Sequence, residues 1–179
     1  MGSGGESIVL LGLGANLGEP LRQLAEAVSA LRAFVDVERV SSVWRTAPVG
    51  FAEQPDFYNL VVAGRTRLSP EELLDAVLVV EKSMGRERTF RNAPRRIDID
   101  LLAYGDVMLD TPGLVLPHPG IPTRGFVLHP LAEVAPDWRH PVLGRTAREL
   151  LDGARELERV EKLGALPPAD RPLRDPPDP

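Results

Sequence analysis

Residues 96–104 alternate with a period of two. Ile97, Ile99 and Leu101 fall on one side, and Asp98 and Asp100 on the other. A β-strand sends successive side chains to opposite faces, and a helix does not. The segment therefore predicts a half-buried strand whose polar face carries two carboxylates side by side. The rest of the fold must bury the isoleucine side and leave the aspartate side in a polar setting.

The remaining pattern supplies partners for such a strand. Residues 8–11 are a short apolar run that leads into Gly12, Gly14 and Gly18, which reads as a buried strand and then a glycine loop. Leu21, Leu24, Ala25, Val28 and Leu31 recur at helical spacing, so a helix is expected from about Pro20. Residues 35–44 and 57–65 are rich in β-branched and aromatic side chains and read as strands, with a Pro- and Gly-containing loop at 46–55 between them. Ser69, Pro70 and Glu72 form a capping box with proline at the first helical position, opening a helix that should run to about Met84 and stop at Gly85. Residues 114–122 hold three prolines and read as irregular. Thr146 and Glu149 make a second capping box for a last helix, expected to about Leu157. Strands that lie near one another in sequence favour an α+β sheet of mostly antiparallel strands over a doubly wound parallel sheet.

A chain of 179 residues suits one core. We expect a flexible lead at 1–7, a single domain at 8–165, and a disordered tail at 166–179, where six of the 18 prolines gather. With no cysteine, thiolate metal sites and disulfides are excluded, which fits a cytoplasmic setting. No run is long and apolar enough for a membrane span, and a net charge of -5 argues against a general nucleic-acid binder.

Against that acidic background, Arg86, Arg88, Arg91, Arg95 and Arg96 crowd residues 86–96, shortly before Asp98. Same-face carboxylates offer the all-oxygen ligands that Mg2+ takes together with phosphate oxygens. Arginine pairs bidentately with phosphate. Together they point to phosphate chemistry, with a solvated polar face and a basic loop touching RNA as the plainer alternative. The glycine run 12–18 lacks a dinucleotide fingerprint, because the third glycine would stand at Leu17; a tight turn suffices. His118, held between Pro117 and Pro119, is either a rigid ligand or an ordinary loop histidine. Arg124 and Phe126 follow it, and Phe126 and Phe57 are as readily core as ligand.

Six segments taken in order resemble the 6-hydroxymethyl-7,8-dihydropterin pyrophosphokinase family: LGLGANLG at 11–18, SVWRTAPVG at 42–50, QPDFYN at 54–59, RNAPRRIDIDLL at 91–102, LPHP at 116–119 and RGFVLHPL at 124–131. The resemblance implies a ferredoxin-like α+β fold, a mostly antiparallel sheet with helices on both faces. It implies transfer of the β,γ-diphosphate of ATP, the co-substrate, to the hydroxymethyl group of the pterin, with AMP leaving. By the same resemblance Asp98 and Asp100 hold two Mg2+ ions, and Arg86 and Arg95 are catalytic. Glu81, Arg86, Arg95, His118 and Arg124 contact ATP. Phe57 and Phe126 sandwich the pterin, Asn59 pairs with its polar edge, Asp98 touches it, and Thr46, Pro48, Val49 and Gly50 wall it. A monomer whose partners are pterin and ATP, with no nucleic acid or membrane, is expected, as is a lid over residues 85–93. Asn92-Ala93 departs from the Trp-Gly of many relatives, Phe57 from a common tyrosine, Gly113 from the arginine of some relatives and Pro119 from a frequent aromatic residue. The rivals are an RNA-binding module of the same fold and a metal-dependent phosphohydrolase.

Overall fold

The computed structural model describes residues 5–48, 53–85, 97–154 and 157–168. The elements in chain order are β1 (Ser7–Ala15), α1 (Pro20–Leu31), β2 (Asp36–Val40), β3 (Ser42–Thr46), β4 (Phe57–Thr66), α2 (Pro70–Ser83), β5 (Asp98–Tyr104), β6 (Leu109–Thr111), β7 (Leu114–Leu116), α3 (Gly125–Val134), α4 (Ala147–Gly153) and β8 (Val160–Ala165). The main sheet runs β5-β1-β4-β3-β8, with β2 also on β4, and its pairings are all antiparallel. This is the α+β arrangement expected, with helices on both faces.

Period-two alternation builds two cores from one sheet. Val9, Leu11, Leu13, Leu60, Val62, Ile99 and Leu101 pack on one face against Leu24, Val28 and Leu31 of α1 and Leu73 and Val77 of α2. Leu10, Val61, Ala63 and Leu102 pack on the other against Val127, Leu128 and Leu131 of α3 and Leu150 of α4. Both capping boxes form: the Ser69 hydroxyl accepts the Glu72 N–H at 3.2 Å, and the Thr146 hydroxyl accepts the Glu149 N–H at 3.2 Å.

Several elements differ from expectation. β1 does not end at Leu11 but continues through both glycines to Ala15, because β4 and β5 pair with it along that length. The predicted strand at 35–44 is two strands, β2 and β3, broken at Ser41. There the Ser41 N–H donates to the Val61 carbonyl and its hydroxyl accepts the Val61 N–H, so β4 stays paired across the break. Residues 114–116 are not irregular but hairpin-paired with β6. The last helix ends at Gly153, short of Leu157. Neither α3 nor β8 was foreseen. Pro130 lies inside α3 and masks it, since proline is a poor helix former. No helix among the described residues is long and apolar enough to cross a membrane.

The loop between α3 and α4 closes on a buried histidine. His140 Nδ1 accepts the N–H groups of Val142 and Leu143 at 3.2 and 3.1 Å, and its ring meets Trp138 edge-on at 5.6 Å. Burial pushes its pKa below the ordinary 6.5. The unfolded chain then takes up the proton first. His140's contribution is complete above pH 6.5 and is lost as pH falls through 6.5 towards the lower folded value. The urea midpoint should therefore fall between pH ~7.5 and ~5.5, and fall less in His140→Asn, which keeps an acceptor but does not titrate. Equal slopes in the two proteins would remove His140 from the acid response.

Candidate active site

A strip of polar and small residues crosses four strands on the α3 face of the sheet. Its first row pairs Asn59 of β4 with Gly14 of β1, and Gly14 with Asp98 of β5. The next row pairs Gly12 with Asp100. On the other flank Trp44 of β3 pairs with Asn59, and Thr46 pairs with Phe57. Directly paired residues share a face, as do residues two apart on a strand. Thr46, Phe57, Asn59, Asp98 and Asp100 thus all point the same way.

The glycines of β1 keep this strip open. A Cβ at Gly14 would lie 2.7 Å from the Asn59 Oδ1. A side chain there would displace the Asn59 amide, and it would stand between the asparagine and the aspartates. Asn59 and Thr46 are buried, at 7% and 4% exposure, and the Asn59 amide reaches the Thr46 hydroxyl at 3.5 Å. Asn16, also buried, donates to the Gln54 side chain at 2.8 Å and to the Pro55 carbonyl at 3.1 Å. It ties the loop before Phe57 to the end of β1. Sequence reasoning quoted Asn16 only as part of a motif; a buried amide just past a paired strand is the signal of such a tether.

The Asp98–Asp100 pair is fixed from behind. Glu81, at the end of α2, is 2% exposed, and its Oε1 accepts the backbone N–H of Ile99 at 2.7 Å. The carboxylate thus holds the one residue that lies between the two aspartates. A charge-assisted bond in the interior is among the stronger single contacts a fold can make. Sequence reasoning linked Glu81 to the nucleotide; its backbone contact could not be read from helical spacing.

The loop after β7 brings a second group of residues to the strip. The His118 N–H donates to the Leu102 carbonyl at 2.8 Å, which lashes the loop to β5. His118 Nδ1 accepts the Gly120 N–H at 3.0 Å, so the ring proton of the neutral form sits on Nε2. Burial, and then the Arg124 charge, lower the His118 pKa, while Asp98 opposes them. His118 and Arg124 meet at Gly120, whose N–H bonds the imidazole and on which a Cβ would lie 2.8 Å from the Arg124 Nε. The Arg124 guanidinium lies 5.8 Å from the centroid of Phe126, the second residue of α3. Pro48 is half-buried just past β3. Val49, Gly50, Arg86, Arg95 and the expected lid from residue 86 lie outside the described residues.

α3 is anchored on the same face. Glu133 accepts the Ser42 hydroxyl at 2.7 Å, the Ser42 N–H at 3.0 Å and the Trp44 indole N–H at 3.2 Å. Burial opposes the charge, but those bonds and Lys162 outweigh it and hold the carboxyl below its ordinary value.

No group of three or more His, Cys, Asp or Glu side chains among the described residues is arranged to hold a metal. Two same-face carboxylates are a partial oxygen set. That fits Mg2+, which keeps several waters and completes its shell with substrate phosphates, better than a metal needing a closed protein cage.

A model of the family described as 7,8-dihydro-6-hydroxymethylpterin-pyrophosphokinase (HPPK) matches residues 10–136. The chain is 38% identical over 141 residues to the 2-amino-4-hydroxy-6-hydroxymethyldihydropteridine pyrophosphokinase of Aquifex aeolicus, covering 79% of this chain and 88% of that protein. It is 42% identical over 157 residues to the protein of that name from Pseudomonas aeruginosa, covering 87% and 96%. Among solved structures, a Plasmodium falciparum HPPK-DHPS variant with pterin and p-hydrobenzoate superposes with a TM-score of 0.68 at 17% identity. That match covers 85% of this chain but only 45% of the longer one, and it bears on the fold alone.

The Glu81 contact sets a test. Glu81→Ala should orphan the Ile99 N–H, costing about 1–3 kcal/mol in urea unfolding, and should raise the Mg2+ concentration needed for half-maximal rate. Glu81→Gln keeps an acceptor and should lose less. A higher KM for ATP at unchanged stability and Mg2+ dependence would make Glu81 a nucleotide contact instead.

Proposed function

The chain belongs to the 7,8-dihydro-6-hydroxymethylpterin-pyrophosphokinase family, and we propose on that footing that it moves the β,γ-diphosphate of ATP onto the hydroxymethyl group of 6-hydroxymethyl-7,8-dihydropterin, a step of folate biosynthesis. The products are the pterin diphosphate and AMP. The observation that carries this reading is the strip itself: paired carboxylates at one end, a buried amide and hydroxyl at the other, and glycine between them. The two ends stand two strand spacings apart, roughly 10 Å, enough for a flat bicyclic ring with its reacting arm over the aspartates.

The residues divide the work. Asn59 and Thr46 offer hydrogen bonds to the polar edge of the pterin, Phe57 and Phe126 offer their faces, and Pro48, Val49 and Gly50 complete the wall. Asp98 and Asp100 hold Mg2+, in our reading two ions. Bound there, Mg2+ supplies neutralisation of phosphate charge and orients the phosphate oxygens. His118 presents an Nε2–H donor and Arg124 a fixed cation to the ATP phosphates. Arg86 and Arg95 offset charge on the diphosphate as it passes between oxygens. The pterin hydroxymethyl oxygen forms a bond to the β-phosphorus. The bond from that phosphorus to the oxygen bridging it to the α-phosphate breaks, the electron pair leaves with AMP, and the hydroxyl proton passes to solvent. No side chain is needed as general base when positioning and charge neutralisation carry the barrier.

We read the protein as a cytoplasmic monomer that engages neither nucleic acid nor membrane. An RNA-binding module of this fold would stack bases on aromatics of the sheet face, but Asp98 and Asp100 on that same face would repel the RNA phosphates without metal. A phosphohydrolase would release phosphate from ATP without pterin. AMP formation assayed with and without pterin and Mg2+ separates the three readings: AMP that requires both additions supports pyrophosphoryl transfer.

Two substitutions test the assignment of roles. Asp98→Asn or Asp100→Asn should cut AMP formation by ~10³-fold or more while the melting temperature holds. Wild-type rates at low Mg2+ would sink the metal assignment. Arg95→Ala should slow the single-turnover rate by ~10²-fold and change pterin affinity far less. An unchanged rate would remove Arg95 from the chemical step.

A further inference from the structure

The family match ends at residue 136, yet the chain returns to the strip after α4. β8 pairs with β3 along its whole length, with Val160 opposite Thr46, Glu161 opposite Arg45 and Lys162 opposite Trp44. Arg45 and Glu161 form an ion pair, and the Lys162 ammonium lies 5.8 Å from the Trp44 ring. The arm that leads into β8 passes the other flank of the strip. Glu158 Oε1 accepts the backbone N–H of Phe126 at 2.9 Å.

That contact fills a specific gap. Arg124, at the N-cap of α3, makes no side-chain capping bond. The first N–H groups of a helix have no partner within it. Glu158 reaches from 32 residues further along the chain to satisfy the one that belongs to Phe126. The arm lies so close that a Cβ on Gly125 would sit 3.1 Å from the Glu158 carbonyl oxygen and 3.3 Å from its carboxyl. The carboxylate also lies at the positive end of the helix, where negative charge is favoured.

We propose that Glu158 is a positioning residue for pterin binding: by holding the Phe126 amide it sets the direction in which the Phe126 ring leaves α3. The C-terminal arm then joins both flanks of the pocket, Thr46 through β8 and Phe126 through Glu158. The inference rests on the reading of Phe126 as a pterin platform given above. The inference concerns the pterin side because Glu158 bonds the Phe126 amide itself, whereas the ATP contacts assigned to His118 and Arg124 are made by their side chains.

The test is a double-mutant cycle on the full chain, reading the Kd of 6-hydroxymethylpterin by calorimetry with a non-hydrolysable ATP analogue present. Phe126→Ala should weaken pterin binding. Glu158→Ala should raise the pterin Kd about five-fold, the worth of one hydrogen bond, and leave the analogue's affinity unchanged. Glu158→Gln keeps an oxygen acceptor and should restore most of the loss. In the Phe126→Ala background, Glu158→Ala should add nothing, which a general loss of stability would not reproduce. A pterin Kd in Glu158→Ala within the error of wild type, beside a weakened Phe126→Ala, overturns the role of Glu158 and leaves the platform standing. An equal loss from Glu158→Ala in both backgrounds also overturns it. Unchanged binding in Phe126→Ala overturns the platform reading itself, and this inference with it.

Discussion

The register of β1 between β4 and β5 is the constraint on which the candidate site depends. One pairing sets Gly14 opposite Asn59, the other sets it opposite Asp98. Side chains alternate with period two, so a slip of one residue would turn Asp98 and Asp100 towards α1 and α2 and bring Ile99 to the strip. The apolar faces guard against that slip. Ile99 and Leu101 are buried in the core under α1 and α2, and moving them out would forfeit about 1.5–3 kcal/mol each. The polar strip is thus positioned by the hydrophobic alternation on its reverse side.

Glycine does the complementary work on the strip side. Elsewhere along β1 the α3 face is filled by Leu10, which packs with Val61, Ala63 and Leu102. At Gly12 and Gly14 that filling stops. Glycine weakens a strand interior, as it adds backbone entropy to the unfolded chain and no packing to the folded one. The cost is tolerated here because β4 and β5 both pair with β1 over the glycine stretch. What it leaves is a shallow floor with hydrogen-bonding groups on one side and acidic groups on the other.

The sheet and both capping-box helices were legible because their signals are local: alternation around Asp98, helical spacing from Leu21, and Ser69 and Thr146 each followed three residues on by glutamate. The elements that escaped are those made by distant partners. β1 reads as ending in a glycine loop until β4 and β5 are seen to extend it. α3 carries a proline that argues against a helix, yet Glu133, one turn on from His129, ties it to Ser42 and Trp44 on β3. β8 has mixed composition and only partial burial, so no periodicity announces it; β3 recruits it by backbone pairing. For the site, the aspartate pair, the arginine cluster and the group of His118, Arg124, Phe126 and Phe57 were candidates from the residues themselves, and the family resemblance supplied their roles and the remaining candidates. Supporting contacts such as Glu81 to the Ile99 amide and Glu158 to the Phe126 amide were invisible. A backbone N–H has no residue type, so sequence cannot say which side chain it will meet.

His118 and Arg124 show how the loop after β7 divides hydrogen bonding from charge. His118 uses Nδ1 to accept the Gly120 N–H, which commits the neutral ring to donating from Nε2. Burial and the neighbouring arginine both favour that neutral form. The imidazole thereby offers a directional donor without adding a second cation beside the half-buried Arg124. Gly120 makes room for Arg124: a Cβ there would lie 2.8 Å from the Arg124 Nε. Repulsion between two adjacent cations would push the arginine away from the strip whenever no phosphate was bound. With one neutral donor and one cation, the loop avoids that repulsion, and under the proposed phosphate-binding role less of the binding free energy would be spent on ordering it.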